Sequence, residues 1–117
     1  MNIRIEGQQH GTSLSCDAAA LSEAERSEHR ATTERLERAV SDVRRPTDAH
    51  EVRFVPGEQT LVDLARFIAR EHRCCPFFTF EIRYEQSETL WLRFTGSPEA
   101  VSFAHSHVDF GRRSHDE

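Results

Sequence analysis

The sequence predicts a single α+β domain in which helices cover one face of a mainly antiparallel sheet. Three observations carry this prediction: two long segments in which apolar residues recur at helical intervals, a hairpin of two strongly alternating strands within residues 77–95, and no internal repeat or low-complexity linker in 117 residues. The expected order is β-α-β-α-β-β-α over residues 1–117, with an ordered core at about residues 12–108 and frayed termini.

The first half of the chain is expected to hold a strand, a long helix and a second strand. Residues 11–16 (GTSLSC) are compatible with a short strand, and Asp17 stands at an N-cap position before residues 18–45. Within that stretch, one modest apolar face recurs at helical intervals: Leu21, Ala24, Ala31, Leu36, Val40 and Val43. Pro46 then breaks the pattern, and residues 50–55 (HEVRFV) alternate as a strand with one buried face.

The second half is expected to hold a helix, a hairpin and a last helix. Helical spacing extends over residues 58–73, and Pro76 prevents the helix from continuing. Two alternating segments follow, residues 77–84 (FFTFEIRY) and 89–95 (TLWLRFT), with a turn between them. After them, an N-cap serine followed by a proline at the first helical position predicts a helix that begins at Ser97.

Composition and charge narrow the class of protein. The chain has 20 acidic and 15 basic residues and a net charge of -5. All 15 basic residues are arginine, and the sequence contains no lysine. Nucleic-acid binding depends largely on phosphate neutralisation by cations, so no nucleic-acid partner is expected. No segment approaches the roughly 18 apolar residues that cross a bilayer, and residues 1–13 lack the layout of a signal peptide. We therefore expect a cytoplasmic protein with no membrane partner.

The three cysteines are the candidate functional residues. Cys16 falls where the first expected strand meets a helix, and Cys74 and Cys75 fall where the second helix meets the hairpin. Structural disulfides are not expected in a cytosolic protein, so the thiols are interpreted as core residues, reactive groups or metal ligands. If all three converge, their thiolates would form a soft-donor site for Zn(II), Cu(I), Hg(II) or As(III), with Glu71 and His72 as supporting groups.

The same positions also favour redox chemistry. Cys16 lies close to a helix start, whose free N–H groups favour a thiolate. For redox or nucleophilic work the sequence indicates Cys16, with Cys75 as its partner. The chain contains no glycine-rich phosphate loop, no G-x-S-x-G and no H-E-x-x-H, so hydrolase and nucleotide-binding interpretations have no support.

The residues around the cysteine pair follow a recognisable pattern. A helix ends in Glu-x-x-Cys-Cys-Pro-Phe, and an aromatic strand, a second strand and a Thr-Gly-x-Pro helix start follow, at Glu71, Cys74, Cys75, Pro76, Phe77, Phe80, Thr95, Gly96 and Pro98. This pattern resembles a group of small, largely uncharacterised prokaryotic proteins, whose upstream half is matched loosely by Cys16, Leu21 and Arg26. Some similar sequences are associated with metal- or mercury-responsive genes, so the resemblance implies soft-ligand chemistry.

The leading interpretation is a small cytosolic binding protein rather than an enzyme. Cys16, Cys74 and Cys75 would bind a soft metal or metalloid, such as zinc, mercury or arsenic, or would act as a thiol sensor. One alternative is a structural or protein-interaction module with core cysteines, which would form a homo-oligomer through surfaces that include Trp91. A further alternative is a thiol-dependent enzyme that transfers an acyl group or a redox equivalent through one cysteine.

Overall fold

Five strands and three α-helices form the part of the chain that a computed structural model describes, residues 1–7, 17–86, 88–108 and 110. The strands are β1 (Asn2–Ile5), β2 (Val40–Arg44), β3 (His50–Phe54), β4 (Thr79–Glu85) and β5 (Thr89–Thr95). The helices are α1 (Glu23–Arg38), α2 (Glu58–Cys74) and α3 (Pro98–His107), and a 3₁₀ turn at Ala18–Ala20 precedes them. The α+β class and the order β-α-β-α-β-β-α are confirmed, with one further strand, β2, between α1 and β3.

All neighbouring strands are antiparallel, in the spatial order β1-β4-β5-β3-β2. Because side chains alternate along a strand, the register places the large apolar residues of the central strands on one face. These side chains are buried: Val52, Phe54, Phe80, Ile82, Leu90, Leu92 and Phe94. The predicted β4–β5 hairpin is therefore confirmed.

The predicted helix over residues 18–45 is wrong at both ends. α1 begins after Ser22, whose hydroxyl accepts the Glu25 N–H while the Glu25 carboxylate accepts the Ser22 N–H, a capping box. α1 ends at Arg38, and the next residues pair with β3 as β2 because Val40 and Val43 pack against the core as strand residues. The predicted strand at residues 11–16 lies outside the described residues, and the first described strand is β1.

Aromatic packing joins the helices to the sheet. Phe67 of α2 makes edge-on contacts with Phe80, Phe94 and Phe110, at ring-centroid distances of 6.5, 6.4 and 5.1 Å. Phe103 of α3 contacts the Phe77 ring at 5.5 Å. This packing holds the middle of α2 against β4 and β5. Of the helices in the described part of the chain, none has the length and apolar character needed to cross a membrane.

The other face of the sheet carries charges that alternate in sign from strand to strand. We call this row the charge ladder, and in spatial order it runs Arg4, Glu81, Arg93, Glu51 and Arg44. Its strongest pair joins Arg93 Nε to Glu51 Oε2 at 2.7 Å. Trp91 lies on this face, half-buried, with the Arg44 guanidinium 4.7 Å from the ring centroid. Self-association through this surface stays a prediction.

Candidate functional site

The cysteine pair lies where α2 ends and the chain turns towards β4. Cys74 is the last helical residue, and Cys75 leaves helical geometry before Pro76, although its N–H still donates to the Glu71 carbonyl at 2.7 Å. Both cysteines are buried, at 7% and 1% exposure. Both cysteine side chains therefore lie inside the protein, three and four residues after Glu71 in the chain.

The chain preceding α1 is tied to this junction. The Asp17 N–H donates to the Cys74 carbonyl at 2.8 Å. Cys16, the residue before Asp17, lies outside the described residues. The hydrogen bond places Asp17 against the cysteine pair. The convergence of Cys16 with Cys74 and Cys75 stays a prediction.

The two adjacent cysteines differ in chemical state. Cys74 has a free thiol, and burial raises the pKa of that thiol, with the nearby Glu71 carboxylate adding to the rise. The Cys75 sulfur is disulfide-bonded. A disulfide sulfur carries no thiolate, so in this oxidised form Cys75 cannot serve as the thiolate ligand that the sequence analysis predicted.

Glu71 and His29 form a polar pair beside the Cys75 sulfur. One carboxylate oxygen of Glu71, Oε2, lies 3.5 Å from Cys75 Sγ, and the other, Oε1, lies 2.8 Å from His29 Nε2. The side chains of His29 and Glu71 are only 16% and 19% exposed. The His29 ring stacks on Phe67 at 5.2 Å, and its Nδ1 is buried without a hydrogen-bond partner. We call these two residues the His29–Glu71 pair.

Glu71 lies between Cys75 and His29, a residue that the sequence analysis did not name. The supporting roles of Glu71 and His72 stay predictions. His72 Nδ1 is buried without a hydrogen-bond partner. Sequence reasoning missed His29 because it lies on another helix, 42 residues before Glu71. The available signal was its spacing, since His29 precedes the buried Leu36 by seven residues and so shares its helix face.

Two neighbouring cavities lead to the site between α1 and the C-terminal end of α2. The larger, about 410 Å³, is lined by side chains that include Arg26, His29, Arg30, Glu34 and Cys74. The smaller cavity has a volume of about 150 Å³, and the residues that line it include Glu71, Phe67 and His107 at the end of α3. Thr33 and Glu37 border both cavities. We call this space the α1–α2 cleft, and it is large enough for a small molecule to approach the Cys74 thiol.

Metal binding has no assembled donor group in the described part of the chain. Within residues 1–7, 17–86, 88–108 and 110, no group of three or more His, Cys, Asp or Glu side chains is placed to hold a metal ion. The predicted set of Cys16, Cys74 and Cys75 includes a residue outside those ranges, so that set stays a prediction.

Comparison with known proteins gives no match, since no family model, curated protein or solved structure matches this chain. The resemblance to the Cys-Cys-Pro-Phe group therefore stays a prediction. The fold and the site define the chain as an α+β protein in which a half-cystine and a free thiol adjoin a histidine–carboxylate pair.

Proposed function

We propose that this protein is a thiol sensor that alternates between a disulfide form and a dithiol form at Cys75. The observation that carries the proposal is the difference in state between neighbouring sulfurs, with Cys75 disulfide-bonded and Cys74 free. A metal-binding trio would instead need all of its sulfurs as thiolates. The structural difference between the two cysteines favours redox sensing over a resident metal.

Cys16 is the partner that we assign to Cys75. The chain contains three cysteines, and Cys74 is free. The Asp17–Cys74 hydrogen bond brings the neighbouring residues of both sulfurs together. Consecutive Cα atoms are about 3.8 Å apart and a disulfide joins Cα atoms roughly 4.4–6.8 Å apart, so this contact agrees with a Cys16–Cys75 bond.

The proposed switch consumes two equivalents of a small thiol. One thiolate attacks a sulfur of the disulfide, the S–S bond breaks, and a mixed disulfide and one protein thiol form. A second thiol resolves the mixed disulfide, which leaves two protein thiols and one small-molecule disulfide. Reduction would break the covalent bond at Cys75, so the oxidation state would control whether the end of α2 is cross-linked.

Counting thiols tests the proposal. The protein would be purified without reductant, unfolded, alkylated and weighed by mass spectrometry, before and after reduction with dithiothreitol. We expect one alkylated cysteine before reduction and three after it. Cys74→Ser is the matched control, because it removes the neighbouring thiol and should give none before reduction and two after it. Peptide mapping identifies the partner of Cys75.

Two results would contradict sensing. Three free thiols in protein equilibrated with a small disulfide would show that Cys75 does not form the bond. A disulfide that stays intact across the potentials of cellular thiol buffers would be structural. Native mass spectrometry of the reduced protein with Zn(II), Hg(II) or arsenite completes the test. A stoichiometric adduct that the Cys74→Ser, Cys75→Ser double variant loses would support metal binding instead.

A further inference from the structure

A continuous series of contacts leads from the Cys75 sulfur to the α1–α2 cleft. Cys75 Sγ lies 3.5 Å from Glu71 Oε2, and Glu71 Oε1 lies 2.8 Å from His29 Nε2. His29 in turn lines the larger cavity of the cleft. The buried sulfur is thus joined to the cleft through two groups that exchange protons readily.

The geometry of this series is fixed by the fold. Glu71 lies on the last turn of α2, Cys75 is the C-cap residue four positions later, and the Cys75 N–H donates to the Glu71 carbonyl at 2.7 Å. His29 is held from the side by its stacking on Phe67, with the rings 5.2 Å apart. The sulfur, the carboxylate and the imidazole are therefore positioned before any thiol arrives, as proton transfer at a reacting atom requires.

We infer that the His29–Glu71 pair transfers the proton to and from the Cys75 sulfur when the disulfide is reduced and re-formed. The inference rests on the proposed thiol-sensor function. Cys75 is only 1% exposed, so in the inferred step the incoming thiolate attacks the partner sulfur and Cys75 Sγ is the leaving group. The S–S electron pair then moves to Cys75 Sγ, which takes a proton held by the pair. The pair regains a proton through the cleft, and the reverse reaction with a small disulfide returns the Cys75 proton to the pair.

The neighbourhood of the pair contains other groups that influence its protonation. From α1, α2 and α3, the charged or titratable side chains that line the cavities beside it are Arg26, Arg30, Glu34, Glu37, Cys74 and His107. Glu34 lies on the cleft wall, exposed, and carries the same charge as Glu71. Glu34→Gln is therefore a matched control, because it removes a carboxylate from the cleft without altering the series of contacts.

The test is the rate of disulfide reduction by dithiothreitol as a function of pH, in wild type, Glu71→Gln, His29→Gln and Glu34→Gln. Each rate is divided by the dithiothreitol thiolate concentration, which removes the titration of the reductant. In wild type the normalised rate should fall as pH rises, because a general acid must hold the proton that it transfers. In Glu71→Gln it should be lower by about a hundredfold or more and independent of pH, since general acid catalysis typically contributes 10²–10⁴-fold. His29→Gln should reduce the rate and shift the profile, and Glu34→Gln should match wild type.

The outcomes separate this inference from the proposed function. If dithiothreitol reduces the disulfide of Glu71→Gln and that of wild type at equal normalised rates and with the same pH profile, the proton-transfer role is overturned and the sensor function is not. A protein without a reducible bond at Cys75 overturns the sensor. Melting temperatures of the oxidised variants verify that they fold. A purely structural defect would lower the rate without flattening its pH profile, so the profile distinguishes a structural defect from the loss of proton transfer.

Discussion

His50 makes the stability of this fold sensitive to mild acid. Its side chain lies on β3 with no exposed surface, between the rings of Phe94 and His105 at 5.7 and 5.6 Å. The pKa of His50 is lowered from 6.5 to about 4, chiefly by burial and to a smaller extent by the positive charges of Arg45 and His105. The perturbation to apply is therefore a fall in pH from neutrality towards 4.5.

The size of the effect follows from linkage. An unfolded histidine binds its proton near pH 6.5, whereas folded His50 resists protonation until about pH 4. Stability from the neutral ring is complete above the unfolded value and is lost as pH falls through this window. The pKa of folded His50 lies about 2.5 units below its unfolded value, which corresponds to a loss of about 3 kcal/mol in the free energy of unfolding once the pH is below both values.

Urea unfolding at a series of pH values measures this loss. We expect the free energy of unfolding of wild type to fall by about 2 to 3 kcal/mol between neutrality and pH 4.5. His50→Leu, which keeps a similar volume without a titrating ring, should lose much less over the same range. His107→Gln, at an exposed position, is the control and should follow wild type. A His50→Leu variant with the full wild-type pH dependence would refute the assignment to His50.

Three further predictions concern stability. Reducing the protein, or introducing Cys75→Ser, should lower the melting temperature by roughly 10–15 °C, because a Cys16–Cys75 bond closes a loop of about 60 residues and stabilises by about 4 kcal/mol; equal melting temperatures would argue against that loop. Asp63→Asn should lower the free energy of unfolding by about 1–3 kcal/mol, since the buried Asp63 carboxylate accepts two hydrogen bonds from Arg35 at 3.0 and 3.1 Å. Arg35 holds the pKa of Asp63 below its usual value, so the gap between this variant and wild type in urea unfolding should narrow only as pH falls through that lowered pKa. Gly7→Ala should destabilise the fold by about 1–3 kcal/mol in chemical unfolding, because a Cβ there would collide with the main-chain carbonyls of Phe78 and Pro76; an unchanged midpoint would show that the N-terminal strand moves aside.

The sequence predicted those elements whose signals are local. The alternation in residues 77–95 and the cap at Ser97 specify β4, β5 and α3 without reference to the rest of the chain. β2 was missed because Val40 and Val43 are three residues apart, which fits a helix face and not a regular strand; the register shift between Val40 and Asp42 accommodates this spacing in β2. What decides between the two is pairing with distant residues, Val43 opposite Val52.

The same distinction holds for the candidate site. Glu71 was predicted because it shares the last turn of α2 with the cysteines. His29 was not, because only the packing of α1 against α2 brings it within 2.8 Å of Glu71. The different states of Cys74 and Cys75 were not predicted either, because the spacing of adjacent residues does not tell which of the two sulfurs is bonded.

The charge ladder has a consequence for errors in folding. Antiparallel strands with similar apolar faces can pair in registers shifted by two residues, because such a shift keeps the same side chains towards the core. Here a shift of β3 or β4 by two residues along β5, in one of the two directions, would bring Arg53 or Arg83 opposite Arg93, in place of the glutamates that face it. Like charges directly opposite are destabilising, so the outer face of the sheet rejects alignments that its inner face would accept.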